Sequence, residues 1–328
     1  MKKKVLIFVA IMLAALTAGA QNKQLANKIL ADHRLDTIQA RALRLLTGFT
    51  AGTSYGEVWI RDFNTFINGS LAVHDKDKVK DMILLFFKMQ GKDGNIVDGM
   101  IPKQKAQAGY DYIYADLAPE WAAHKNTVET DQESSLVQAV YKYVKHTNDT
   151  GILHIVIDHQ TVLQRLDAAL QYVHKARWSE KYNLVTGATT IDWGDVQPEK
   201  GWGVVINDHT KWCIDIYDNA MYAIALREYA ELSNNKTYLT QYAQLKANVR
   251  KYLWQSGKYL PHLYLDGSPF SPGFKEDEIL YTGGSACAIL AGFHSPKEIT
   301  GINQQMLTAA GKEKYATIGI TVYPPYPE

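Results

Sequence analysis

The sequence predicts an all-α protein of helices joined by long loops. Three observations carry that reading. Apolar residues recur at helical spacing in about nine separate segments. Strand signals are few and short, and they do not alternate with helices as a parallel sheet would require. The loops between helices are long and aromatic, which fits chain folded over a concave face better than disorder.

The expected helices, in order, cover residues 24–46, 64–73, 79–90, 129–145, 152–177, 215–232, 238–254, 279–293 and 298–310. Each rests on 3.6-residue periodicity. Tyr259 to Leu265, ahead of the Asp266-Gly267 turn signal, reads as one arm of a small hairpin. The loop from Gly91 to Val128 carries Lys92-Asp93-Gly94-Asn95 and Gly109-Tyr110-Asp111-Tyr112. The loop from Ser179 to His209 carries Trp193, Asp195, Trp202 and Asp208.

The chain opens on Lys2, Lys3 and Lys4, an uncharged apolar run from Val5 to Leu16, and Ala18-Gly19-Ala20. That is the pattern of a cleaved signal peptide over residues 1–20, with one domain over 21–328 and a periplasmic or secreted location. The apolar run is short for a bilayer, so no membrane insertion is expected after cleavage. Removing the three lysines takes Lys plus Arg from 35 to 32, against 34 Asp plus Glu. No basic stripe or tail appears, which argues against a nucleic-acid partner. Cys213 and Cys287 read as buried free thiols in apolar helices. No CxxC or HxxxH spacing suggests a metal, and no cofactor is implied. Walker A and GxGxxG patterns are lacking. The sequons at Asn68 and Asn148 are discounted, because the leader has a bacterial character.

Tyrosine is abundant at 20, with 7 tryptophans. Such rings can fill a helical core or stack on sugar faces with their polar edges free to hydrogen-bond. Several acid-bearing segments bear on that choice. Trp59-Ile60-Arg61-Asp62 leads into a helix, where Asp62 can serve as a cap or, beside Arg61, offer paired donors and acceptors to sugar hydroxyls. Asp192-Trp193-Gly194-Asp195 flanks an aromatic ring with two carboxyls. That setting raises an acid's pKa as glycoside cleavage needs, or makes an Asx-turn. Thr130-Asp131-Gln132-Glu133 matches a capping box, and Asp131 and Gln132 can also line a cleft mouth. Asp208-His209 and Lys211-Trp212 precede Asp215-Ile216-Tyr217-Asp218, where Asp215 or Asp218 reads as an N-cap. Glu276-Asp277-Glu278 reads as helix-dipole complementation.

Trp59-x-Arg61-Asp62 resembles the W-x-R-D signature of the glucoamylase-like six-hairpin glycosidases, and Asp192-Trp193-Gly194-Asp195 is similar to their acid-bearing loop. The resemblance implies an (α/α)6 toroid and an exported glycoside hydrolase acting on oligo- or polysaccharides. It makes Arg61 and Asp62 the clamp on the sugar to be cut, and Asp195 the general acid with Asp192 as alternative. Trp59, Trp193 and Trp202 become stacking residues. Fewer than twelve helices are expected, and the chain ends on a loop-like segment. The toroid is therefore expected to be incomplete at the C-terminus, with the general base of an inverting mechanism beyond residue 328. Other readings of the same residues are a non-catalytic glycan-binding protein and a helical-hairpin scaffold for protein partners; the tryptophan-rich loops argue against the last.

Overall fold

The computed structural model describes residues 23–52, 56–190, 197–198, 203–315, 317–319 and 322–326. The chain divides into two units, Met1–Gly48 and Phe49–Glu328. In the first unit the segment expected as one helix is two: α1 over residues 23–30 and α2 over His33–Leu45. The break falls at Asp32, whose carboxylate accepts from the Arg34 backbone N–H and caps α2.

The second unit is a series of helical hairpins. The helices are α3 (Ile60–Val73), α4 (Lys76–Lys88), α5 (Gln132–Thr147), α6 (Val162–Ala176), α7 (Ile216–Ser233), α8 (Thr237–Tyr252), α9 (Thr282–Leu290) and α10 (Pro296–Glu313). α3, α5, α7 and α9 pack side by side in that order, and each pairs with the helix that follows it in sequence. The residue patterns explain the two roles. α5 and α7 bury side chains around nearly their whole circumference, so they form the inner layer. α6 is amphipathic, burying Val162, Leu166, Ala169, Leu170 and Val173 along one stripe. The expected helix over 152–177 starts later, at Val162, because Thr161 and Gln164 build a capping box there. α10 starts on Pro296 behind a Ser295–Glu298 capping box.

Short strands, too short to show alternation in sequence, introduce the inner helices. β1 (Val58–Trp59), β2 (Gly99–Pro102) and β3 (Trp121–His124) form an antiparallel sheet ahead of α3 and α5. β4 (Gly187–Ala188), β5 (Trp212–Asp215) and β6 (His262–Tyr264) form another ahead of α7. β7 (Leu280–Tyr281) pairs with β8 (Val322–Tyr323) ahead of α9. The segment expected as one hairpin arm is thus divided. Tyr259 pairs with Trp254 in a separate ribbon, while His262–Tyr264 joins β5.

One apolar cluster runs through these layers, from Ile60, Phe63 and Phe86 to Leu136, Tyr143, Ile214 and Tyr259. Both cysteines are free. Cys213 is buried on β5, a strand rather than the expected helix, and Cys287 lies on α9. No described helix is long and apolar enough to cross a membrane.

Candidate active site

The strand before each inner helix fixes what its first turn presents. Val58 faces inward and is buried, so Trp59, the next residue on β1, lies on the opposite face. Trp59, Gly99 and His124 stand in one cross-strand row. Gly99 has no side chain there, and a Cβ on it would come within 2.4 Å of the Trp59 ring. The indole therefore crosses the glycine and stacks on His124, with centroids 5.9 Å apart and planes 24° apart. His124 Nε2 stands 3.6 Å from Glu57 Oε1.

Arg61 follows in the first turn of α3. Its guanidinium is spent on carboxylates from other segments. Nε donates to Asp131 Oδ2 at 2.9 Å, and Nη2 donates to Glu129. Asp98 Oδ1 stands 3.7 Å from the same Nη2. Asp98 is carried on the entry to β2, where its N–H donates to the His124 carbonyl and its carbonyl accepts from the Ile60 N–H. Asp131 Oδ2 also accepts from Tyr217 on α7 at 2.6 Å. One guanidinium thus ties α3, the sheet and the approaches to α5 and α7. Asp62 lies in the first turn of α3, while the N-cap position belongs to Trp59, which makes no side-chain cap bond.

Gln132 begins α5 fully buried. Its amide donates to Glu129 Oε2 at 3.0 Å and to the Asn126 carbonyl at 3.1 Å, and accepts from Lys125. The capping box expected at Thr130–Glu133 is not made. Asp131 is the N-cap residue without a side-chain cap bond, Thr130 Oγ1 donates to the Thr186 carbonyl, and Glu133 accepts from Lys125 and the Ile96 N–H. The charge-assisted bonds on Glu133 draw that side chain away from the helix end, and the Thr186 carbonyl takes up the Thr130 hydroxyl.

At the start of α7, Asp215 caps the helix by accepting from the Asp218 N–H at 2.8 Å, one of the two caps the sequence allows. Asp218 lies against β4, where a Cβ on Gly187 would come within 2.8 Å of its Oδ2. Across the sheet, His262 pairs in register with Asp215. Glu276 is not a helix-dipole acid. Its carboxylate accepts from His262 Nδ1 at 2.6 Å, Tyr264 at 2.7 Å and Tyr326 at 2.6 Å, because the 3-10 turn over Glu276–Glu278 sets it under β6.

Burial works against ionisation in this region. It pushes Asp98 up to about 6, opposed by Arg61 and reinforced by Asp131. Glu129 is pushed well above the carboxylate range by burial and by Asp98, which outweigh Arg61. Asp218 is likewise raised by burial, then by Asp215 and Asp131. A carboxyl whose pKa is raised keeps its proton to higher pH and can then give it up, which is what departure of a sugar oxygen demands. Among the described residues, no three His, Cys, Asp or Glu side chains are grouped to hold a metal ion.

The structure brings Trp59, Arg61, Asp62, Asp131 and Gln132 to neighbouring inner-helix starts. Asp192, Trp193, Asp195 and Trp202 lie outside the described residues. The flanks of their loop are described. Thr189 bonds the Lys211 carbonyl through both N–H and Oγ1, and buried Gln197 holds Gly203, Val205 and Thr210. Ala188 N–H and Ile206 N–H donate to Val128 and Thr127, next to Glu129. Trp212 stacks with Arg177, whose guanidinium is 5.1 Å from the ring centre, and Lys211 is part-buried beside it. Asp208 and His209 are exposed on a turn. Asp98, Glu129 and Tyr217 join the site without standing out as site residues in the sequence. The one available signal is Glu129 standing two residues before Asp131, ahead of a helix buried on nearly all sides.

No family model matches the chain, and no curated protein matches it. Solved structures do. The GH63 mannosylglycerate hydrolase from Thermus thermophilus, in complex with Tris, superposes with a TM-score of 0.60 at 14% identity, covering 86% of this chain and 78% of that one. The same enzyme in complex with glucose gives 0.57 at 14% identity, covering 86% and 77%. An uncharacterized conserved protein from the same organism gives 0.56 at 14%, covering 84% and 76%. The fold is the (α/α)6-type toroid of helical hairpins seen in these solved structures.

Proposed function

We propose that this protein is an exported glycoside hydrolase that cleaves O-glycosidic bonds in oligo- or polysaccharides with inversion of configuration. The observation that carries the reading is the Arg61-centred carboxylate cluster at the inner-helix starts, on a fold whose solved examples include a hydrolase with glucose bound. Asp195 is the general acid, with Asp192 as the alternative. The support for this lies at the flanks of their loop, which are fastened to the segment next to Glu129. The acid gives its proton to the bridging oxygen as the bond to the anomeric carbon breaks. A water attacks the opposite face and loses its proton to a second carboxylate, about 6.5–9.5 Å from the first in inverting enzymes.

The geometry supports a more specific role for the clamp. Arg61 Nε and Nη2 are already committed, so its main work is to hold Glu129 and Asp131 in fixed positions. Trp59 offers its ring to a sugar face.

Turnover on a panel of neutral oligosaccharides tests the reading. The wild type hydrolyses at least one member. Asp195→Asn lowers kcat by about 100-fold or more, the scale of a lost general acid, and Asp192→Asn lowers it less. Equal turnover by Asp195→Asn removes that residue from the role. Binding without turnover by the wild type replaces the enzyme with a glycan-binding protein.

A further inference from the structure

Trp59 is one end of a longer row of rings. His124, stacked on Trp59, lies 4.5 Å from Tyr112 and 5.9 Å from Tyr110, measured between ring centres. Tyr110 and Tyr112 are 6.2 Å apart, and Tyr112 and Tyr114 are 6.4 Å apart. The sequence Tyr110-Asp111-Tyr112-Ile113-Tyr114 explains the regularity. Ile113 exchanges both backbone hydrogen bonds with Ala123 on β3, which holds Tyr112 to Tyr114 extended, with Tyr110 at the bend before them. In an extended chain every second side chain shares a face, and two residues advance about 6.6 Å, which matches the ring spacing. The Gln107 N–H donates to the Tyr112 hydroxyl and holds that ring in place. Lys103 Nζ lies 5.2 Å from the centre of the Tyr114 ring at the far end.

These rings are not core. Tyr110 is 61% exposed and Tyr114 is 56% exposed. Large exposed aromatics set in a fixed row mark a binding surface. The chemistry of the row favours a sugar chain over a protein. Each tyrosine has an apolar face and a hydroxyl edge, and the Lys103 ammonium lies over the last ring. The row also runs without interruption to Trp59, two residues before Arg61.

We propose that the Tyr110–Tyr112–Tyr114 face, continued through His124 to Trp59, binds further sugar units of a chain whose end lies at the Arg61 cluster. The natural ligand is therefore an extended oligosaccharide or polysaccharide rather than a single glycosyl group on a small aglycone. The inference rests on reading the Arg61 cluster as a carbohydrate site, and its test is separable from turnover.

The probes are gluco-, manno- and rhamno-configured oligosaccharides of two to six units, titrated by calorimetry into the full-length Asp195→Asn protein, alone and with Tyr110→Ala plus Tyr114→Ala. Both tyrosines are exposed, so the fold tolerates their removal. Affinity in at least one series rises with chain length. The double alanine change lowers affinity for the hexamer by about tenfold, the scale of one or two aromatic contacts, and leaves the dimer unchanged. Tyr110→Phe plus Tyr114→Phe retains most of the gain. Equal affinity for dimer and hexamer overturns the proposal, as does binding by no member of the panel. An alanine effect equal at all lengths also overturns it. So does a sedimentation shift in the alanine variant with glycan affinity untouched, which would make the row a protein contact. A length-dependent gain in a wild type that hydrolyses none of the panel sustains the binding face and removes the hydrolase reading. Turnover of aryl monoglycosides without any length effect does the reverse.

Discussion

The Arg61 cluster and Glu276 both hold carboxylates away from solvent, and their net pKa shifts run in opposite directions. Around Arg61, Glu129 and Asp98 share one guanidinium with Asp131, and burial and mutual repulsion raise both Glu129 and Asp98. Around Glu276, burial also works to raise the carboxyl. There, bonds from His262, Tyr326 and Tyr264 outweigh it and hold the group below its usual value. The difference lies in the ratio of donors to carboxylates. One charged fork among three acids leaves a proton in the cluster, whereas three donors on one acid expel it. The Arg61 cluster is suited to hold and release a proton. The Glu276 cluster is suited to stay ionised and to fix β6 to the turn before β7.

The comparison breaks first at Arg61. Arg61→Met leaves Glu129 and Asp131 buried without their cation, and thermal or urea unfolding should show a loss of about 3–5 kcal/mol. A loss below about 1 kcal/mol would mean that the cluster does not depend on its cation. Glu276→Gln is the next test. The amide cannot accept three donors at once, so unfolding should show a loss of about 1–3 kcal/mol.

The smallest effect is the sharpest. Glu129 is raised on folding, so its stabilising contribution is complete below its unfolded pKa near 4.5 and is lost as pH rises through the folded value; Asp98 behaves likewise, from 3.8 through about 6. Glu276 is lowered on folding, so its contribution is present above 4.5 and is lost as pH falls through the folded value. Glu129→Gln mimics the protonated acid. Its Tm deficit against the wild type should shrink as pH rises from 5 to 8. The deficit of Glu276→Gln should shrink only on acidification. Parallel pH profiles for the two variants would dissolve the distinction.

Helix positions are largely legible in the sequence because apolar spacing is a local property. α7 is expected over 215–232 and runs from Ile216 to Ser233. The division into inner and outer helices is less legible, because α5 and α7 bury polar residues such as Glu133, Gln138 and Asn219 among their apolar ones. The clusters are legible only in part. Trp59, Arg61, Asp131 and Gln132 stand out as motifs, but the pairing of Arg61 with Glu129 and Asp98 depends on a sheet of two- to four-residue strands that leave no periodic trace. Thr130 and Glu133 have capping-box spacing, yet Lys125 and the Ile96 N–H draw Glu133 elsewhere. The neighbours of Glu276 in sequence point to a helix dipole, whereas its partners come from β6 and from Tyr326, 50 residues downstream.

The bare backbone at Gly99 has a consequence for how this protein can change over generations. Any side chain there displaces the indole of Trp59, and with it the link from the Arg61 cluster to the tyrosine row. A chain that has already lost the indole is released from that restriction. Positions 59 and 99, separated by 40 residues, are therefore free to vary only in a fixed order: the tryptophan first and the glycine second.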